Sequence, residues 1–171
     1  MPQQTQFRGT PLREEDFQKG RILTHTTHPF LKYRWAAGVA IGKFLDGMKE
    51  ARIVGSHCDN CGRTVVPPRS FCEMCFVPIG KYVDLPQTGT INTFVVTWIA
   101  TDRSRLDKPL VPAVVDIDGT TKAGLLHLVA NVDPKKVKIG MRVKAVWRAA
   151  KDRKGDITDL QHWEPMGGAK K

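Results

Sequence analysis

The sequence lacks the features of a membrane or secreted protein. It has no apolar run that approaches the roughly 20 residues needed for a membrane-spanning helix. Its first residues, from Met1 to Asp16, are polar and do not contain the apolar segment of a secretory signal. These two absences favour a cytoplasmic protein without a membrane association.

Side chains that could act as nucleophiles are few. The only serines are Ser56, Ser70 and Ser104, and none lies in the G-x-S-x-G turn of a serine hydrolase. His127 is flanked by leucines, which indicates a strand position rather than a general base. The inventory therefore argues against catalysis by this chain alone.

The cysteines form two C-x-x-C pairs separated by ten residues, and the chain contains no others: Cys58, Cys61, Cys72 and Cys75. Without export, this pattern indicates metal ligands rather than disulfides. A redox motif would need only one pair. We expect one structural Zn²⁺ in a closed four-sulfur site, with iron as the alternative, since either metal accepts tetrahedral thiolates. Such a site leaves no thiol for chemistry.

Histidines near this motif are not expected to bind the metal. His57 precedes the first cysteine, but the four-cysteine set is already complete. His25 and His28 lie three residues apart without a third ligand nearby. The formal net charge of +10 favours an anionic partner, although a solvated basic surface is equally compatible with it.

The clearest helical pattern covers residues 33–51. Its apolar stripe consists of Trp35, Val39, Phe44, Leu45 and Met48. Glycines at positions 38, 42 and 47 weaken the helix but permit close approach by another backbone. The stripe could pack against the chain's own domain or dock on a partner subunit, and the sequence leaves both interpretations open.

From Lys81 onward the apolar pattern changes to a period of two, which indicates β-strands. The expected strands are 90–99, 111–117, 122–129, 141–148 and 157–163, with a polar loop over 100–110. Five strands in so short a stretch favour a small closed barrel, an OB-fold or alternatively an SH3-like barrel. Both faces of the first strand are apolar, and Gly89 is a candidate bulge.

The expected organisation follows from these patterns. An N-terminal arm covers residues 1–30, and the helix with a rubredoxin-like zinc ribbon covers 31–80. The five-stranded OB-fold barrel covers 81–165, and a disordered tail covers 166–171.

The ordered set of motifs resembles the DUF35 family, whose members combine a zinc ribbon with an OB-fold and associate with acyl-CoA enzymes. The motifs are Cys58-x-x-Cys61-Gly62-Arg63, Pro67-Pro68-Arg69, Cys72-x-x-Cys75, Gly89-Thr90 and Lys138-Ile139-Gly140-Met141-x-Val143. The resemblance covers roughly residues 33–164. Within the family, the chain is most similar to small thiolase subunits such as that of 2-benzoylsuccinyl-CoA thiolase in anaerobic toluene degradation.

The resemblance implies a non-catalytic accessory subunit. Its partner would be a thiolase-fold subunit that cleaves or forms a C–C bond next to a coenzyme A thioester. The helix and ribbon would dock on that partner, and the barrel would help to hold acyl-CoA. Arg103, Arg105 and Lys108 are then candidate contacts to the coenzyme A phosphates.

Two alternatives remain at this point. The chain could be a single-stranded nucleic-acid-binding module, with Phe94 and Trp98 stacking on bases and basic residues at positions 142, 144 and 148 on phosphates. It could also be a scaffold without a ligand of its own, bridging an HMG-CoA synthase and a thiolase or supporting a MaoC-type hydratase. The resemblance favours the thiolase subunit over nucleic-acid binding.

Overall fold

The computed structural model describes residues 12–23, 25, 33–34 and 36–167. Contacts divide the chain into two units, residues 1–35 and residues 36–171. In the first unit, helix α1 (Glu14–Gln18) begins where the Asp16 carboxylate accepts the backbone N–H of Arg13 at 3.0 Å. The predictions for His28, Trp35 and the tail from residue 168 fall outside the described residues.

Helix α2 (Gly38–Lys49) is shorter than the predicted helix over 33–51. Gly38 has a φ of 73°, so the helix cannot continue backwards through it. The buried face carries Ala40, Phe44, Gly47 and Met48 and packs within its own unit. A Cβ at Gly47 would lie 2.5 Å from the Val54 side chain, so this glycine lets the helix approach the next strand.

The ribbon is built on a three-stranded antiparallel sheet in the order β2-β1-β3. Its strands are β1 (Ile53–His57), β2 (Thr64–Val65) and β3 (Lys81–Leu85). All five residues of β3 pair with β1, from Ile53 opposite Leu85 to His57 opposite Lys81. The stretch that opens the period-two pattern therefore belongs to the ribbon sheet rather than to the barrel sheet.

The barrel sheet has five strands in the order β10-β9-β4-β7-β8. Its strands are β4 (Thr88–Phe94), β7 (Pro112–Ile117), β8 (Gly124–Leu128), β9 (Arg142–Trp147) and β10 (Leu160–Pro165). A parallel bridge between Val129 and Trp163 connects the two outer strands and closes the barrel. This confirms the predicted fold, a helix and a four-cysteine ribbon followed by an OB-fold barrel.

The prediction of one continuous strand over 90–99 is wrong for the second half of that range. It is divided into β4 and β5 (Thr97–Ile99), and a bulge lies at Asn92 rather than at Gly89. Because of these irregularities, Val95 and Ile99 do not share the buried position of Ile91 and are 55% and 59% exposed.

The predicted polar loop over 100–110 contains a strand, β6 (Arg105–Leu110), which pairs with β5 as a two-stranded hairpin. The regular strand structure that continues from the barrel is interrupted on both sides of this hairpin, at residues 95–96 and at residue 111. Pro109 and Pro112 lie beside that break and have no N–H to donate. The hairpin of β5 and β6, called the flap below, therefore departs from the barrel sheet.

Helix α2, the base of the ribbon and the barrel share one hydrophobic core. Met48, Ile53 and Trp163 are each fully buried and belong to the same cluster. Hydrogen bonds reinforce this junction. The Gln87 side chain donates to the Ala51 carbonyl at 2.7 Å and accepts from the Trp147 indole at 2.7 Å. The ribbon base and the barrel are therefore joined by both apolar packing and hydrogen bonds.

Neither helix in the described part of the chain has the length and apolar character that a membrane crossing requires.

An ion pair fastens one end of the barrel. The Arg142 guanidinium donates to both oxygens of Asp118, at 2.7 and 2.5 Å, and the Thr88 hydroxyl also donates to this carboxylate. These contacts, Arg142 first and Thr88 second, lower the pKa of Asp118 to about 2. The ionised carboxylate therefore stabilises the folded state relative to the unfolded state.

Replacing Asp118 with Asn is expected to lower the free energy of unfolding by about 1 kcal/mol at neutral pH, a modest value because the side chain is 34% exposed. The unfolded pKa is about 3.9, so the contribution is complete above about pH 4 and is lost as the pH falls towards 2. Urea unfolding of both proteins checks this. The difference between them should shrink between pH 4 and pH 2, and a constant difference would contradict the assignment.

Candidate functional site

The two C-x-x-C pairs form a pair of similar turns. In the first turn, the Gly62 N–H donates to the Cys58 carbonyl at 2.8 Å, and in the second the Phe76 N–H donates to the Cys72 carbonyl at 2.8 Å. Gly62 has a φ of 72° and Phe76 a φ of 54°. Gly62 therefore adopts the left-handed conformation that glycine favours, and an aromatic residue adopts the same conformation in the second turn.

The four cysteine sulfurs converge and all lie within 4.8 Å of one another, with 3.7 Å between those of Cys61 and Cys72. A tetrahedral zinc site with Zn–S bonds of about 2.3 Å places its sulfurs about 3.8 Å apart. The spacing therefore suits such an ion. Cys58 and Cys72 are buried, Cys75 is half-buried and Cys61 is exposed.

The four thiols influence one another's ionisation. Burial opposes ionisation of Cys72, but the N–H groups of Met74 and Cys75 and the other thiols lower its pKa to about 7. For Cys61, the Arg63 N–H acts in the lowering direction, yet the surrounding thiols and burial raise the pKa to about 12. Four thiolates would not coexist at neutral pH without a cation between them. The donor set thus fits Zn²⁺.

Charged side chains connect the two turns around the sulfurs. The Glu73 carboxylate accepts from Arg63 at 3.0 Å and lies 3.2 Å from the Arg69 guanidinium. The backbone N–H of Glu73 itself, followed by the two guanidiniums, lowers the pKa of this carboxyl. His57 is hydrogen-bonded through Nδ1 to the Thr64 hydroxyl at 2.8 Å and is not part of the sulfur cluster.

Three large apolar side chains of the second turn are exposed. They are Phe71, Met74 and Phe76, at 52%, 63% and 83% of their full exposure, and are called the knuckle patch below. Phe76 is notable because an aromatic residue at positive φ is strained. Sequence reasoning missed this patch, although each residue is visible as an apolar side chain beside a cysteine ligand.

The three predicted phosphate contacts all lie on the flap. Arg103 occupies the turn between β5 and β6, with a φ of 70°, and Arg105 begins β6. Lys108 lies further along the strand and lines a cavity of about 670 Å³ together with Trp98 and Lys135. The structure therefore places one of the three predicted residues at a cavity and the other two near the flap tip.

The basic residues proposed for nucleic-acid binding do not line a common groove. Arg142 is paired with Asp118, and Lys144 with Glu164 at 2.9 Å. Arg148 donates to the Thr158 carbonyl at 2.7 Å. Because each is engaged with its own chain, these side chains are poorly placed to accept a phosphate backbone.

His127 lies in β8, as the sequence predicted. The residues that the structure describes do not form a catalytic arrangement around it. Burial is the main influence on its imidazole and lowers its pKa. The ring is therefore neutral at neutral pH.

Two family models match successive parts of the chain. Residues 46–79 match the rubredoxin-like zinc ribbon domain of ChsH2, and residues 82–148 match its C-terminal OB-fold domain. The first match ends just before β3 and the second begins within it, next to the start of the barrel. They agree with the order of elements in the structure.

Two proteins described as members of the DUF35 family are similar to this chain in sequence. A DUF35 domain-containing scaffold protein from Methanocaldococcus jannaschii is 28% identical over 101 residues, which cover 58% of this chain and 70% of that protein. A crystal structure of a DUF35 family protein of unknown function from Sulfolobus solfataricus is 31% identical, with a TM-score of 0.55. The matched region covers 64% of this chain and 78% of the Sulfolobus solfataricus chain.

A second similar structure is described as an Ltp2–ChsH2(DUF35) aldolase. It is 23% identical, has a TM-score of 0.58, and covers 77% of this chain and 98% of that one. At this identity the likeness concerns the fold.

Removing the metal is expected to unfold residues 58–79 while the barrel persists. The buried cluster at the sulfurs contains only Cys58, Cys72 and Ile79, so little apolar packing remains there without the ion. Chelation followed by metal analysis, thiol titration and backbone amide NMR tests this. One ion should be released per chain, with four reactive thiols and collapse of the ribbon signals. Dispersed ribbon signals after complete metal loss would contradict the expectation.

Proposed function

The chain belongs to the DUF35 family, and from this premise we propose that it is the non-catalytic, zinc-binding subunit of an acyl-CoA complex. The chemistry would reside in a thiolase-type partner that cleaves or forms a C–C bond beside a coenzyme A thioester. The observation that carries the proposal is the commitment of all four cysteines to one cluster, which leaves no thiol to carry an acyl group.

The metal itself is not assigned a catalytic role. A catalytic zinc keeps an open coordination position, whereas four cysteine ligands close it. When bound, the ion supplies structural cross-linking between the two turns. The residues around it hold the turns in place: Glu73 joins Arg63 to Arg69, and Lys81 pairs with Asp59 at 3.0 Å.

Docking on the partner is assigned to the ribbon, through the knuckle patch. Exposed aromatic and methionine side chains are enriched at protein interfaces, and aromatic anchors supply much of their binding energy. The metal cluster fixes the position of these side chains. Helix α2 contributes less than the sequence suggested, because its Phe44 and Met48 are buried in the chain's own core.

Acyl-CoA binding is assigned to the flap, where Arg103, Arg105 and Lys108 are all exposed. Coenzyme A carries phosphates that such cations attract. We also propose 2-benzoylsuccinyl-CoA as the acyl-CoA, because the resemblance to small thiolase subunits implies it. The alternative is a scaffold protein, which is how the Methanocaldococcus jannaschii relative is named. In that case we expect this chain to dock on the partner without binding acyl-CoA.

Phe76→Gly is expected to weaken binding to the thiolase-type partner roughly tenfold to a hundredfold while the ribbon remains folded. Glycine adopts the positive φ without strain, as Gly62 does in the first turn, so loss of binding would not reflect unfolding. Calorimetry with the purified, co-expressed partner measures the affinity. Ile139→Ala, which removes an apolar side chain that is 66% exposed elsewhere, serves as the control. Equal affinities of Phe76→Gly and the unaltered chain would exclude the patch.

Alanine at Arg103, Arg105 and Lys108 together is expected to raise the KM of the complex for acyl-CoA several-fold, with a smaller effect on kcat. The reason is loss of ground-state attraction for the phosphates rather than loss of a reacting group. Steady-state kinetics of the complex measures both constants. Alanine at three other exposed lysines, Lys138, Lys151 and Lys154, is the charge-matched control. An unchanged KM would favour a scaffold without a ligand.

A further inference from the structure

A cavity lies between the flap and the loop that joins β8 to β9. Its volume is about 670 Å³, within the range of small-ligand sites. Its wall is formed by residues from two distant parts of the sequence. Val96 lies just before the flap, the flap contributes Trp98, Lys108 and Pro109, and the loop contributes Val132, Asp133, Pro134 and Lys135. The cavity therefore depends on the fold and is not visible in the sequence.

The wall combines an aromatic surface with two cations. The Trp98 indole is 51% exposed, although tryptophan is usually well buried, and apolar side chains lie around it. Lys108 and Lys135 take part in no ion pair among the residues that the structure describes. The Asp133 carboxylate also lies on the wall, but it accepts the backbone N–H of Lys135 at 3.0 Å.

This combination suits a ligand that is flat and apolar at one end and anionic at the other. A purine nucleotide has this character, since its base stacks on indole and its phosphates attract lysines. An aliphatic anion would gain from the lysines but not from the exposed face of Trp98. A neutral aromatic compound would leave the two cations unused.

We propose that this cavity binds the adenine nucleotide end of acyl-CoA, with the base against Trp98 and the phosphates at Lys108 and Lys135. The choice of coenzyme A among adenine nucleotides rests on the proposed function. Compared with the three phosphate contacts predicted from the sequence, this assignment adds Trp98 and Lys135 and places the nucleotide at the base of the flap. Arg103 and Arg105, nearer the tip, are not required for it.

The test uses the full, metal-loaded chain without a partner and observes backbone amide and indole N–H signals by NMR. The chain is titrated up to millimolar concentrations with adenosine 3′,5′-bisphosphate, with pantetheine and with a short oligothymidine. Trp98→Phe identifies the indole signal. We expect the bisphosphate to shift signals of residues 96–98, 108–109 and 132–135, and pantetheine to leave them in place.

Variants sharpen the result. Trp98→Ala and the pair Lys108→Ala with Lys135→Ala should each weaken bisphosphate binding roughly tenfold. Lys151→Ala, an exposed lysine outside the cavity, should bind as the unaltered chain does. Absence of shifts at millimolar bisphosphate, or shifts centred elsewhere, would overturn the assignment. Tighter, strongly salt-dependent binding of oligothymidine at the cavity would overturn it in favour of a nucleic-acid ligand.

Failure here is distinguishable from failure of the proposed function. If the bisphosphate does not bind but the chain still assembles with a thiolase-type partner and supports acyl-CoA turnover, only the cavity assignment is wrong. If the bisphosphate binds but no such complex forms, the cavity remains a nucleotide site and the proposed function is wrong.

Discussion

The rest of the ribbon depends on holding four cysteine sulfurs within 4.8 Å of one another. Apolar packing contributes little to this, because Ile79 is the only buried non-cysteine residue in the cluster around the sulfurs. A cation that binds all four sulfurs joins the two turns and fixes the second turn with Phe76 at its surface. The same cation would occupy every thiol in the chain, so the interaction that builds the ribbon would also remove the residues best suited to acyl transfer.

A second constraint fixes the ribbon relative to the barrel. The core that contains Met48 and Ile53 also contains Trp163 of the last strand, so the helix, the ribbon base and the barrel share their buried surface. Loss of packing at the junction would therefore affect all three. An accessory subunit that docks through one end and holds a ligand at another needs this kind of rigidity, since the two surfaces must keep their separation.

Much of the fold could be predicted from the sequence, and the failures have physical reasons. The strand around Val115 and the strand around Val143 alternate regularly, and both side chains are fully buried. The helix was predicted to begin five residues too early, because apolar spacing does not reveal the positive φ of Gly38. The flap was missed because β6 contains three charged residues and Pro109, which is not typical of a strand, and because it is stabilised by pairing with β5. The metal ligands are adjacent in sequence and were recognisable, whereas the cavity joins Trp98 to Lys135 only in the folded chain.

The central claim is that this chain supplies structure and binding while another chain supplies the reacting groups. Reconstitution from separately purified subunits tests it most directly, with acyl-CoA turnover measured for each subunit alone and for the mixture. The account predicts no turnover by this chain alone and full turnover only when the thiolase-type subunit is added. Turnover by the isolated chain, or full activity of the partner without it, would contradict the account.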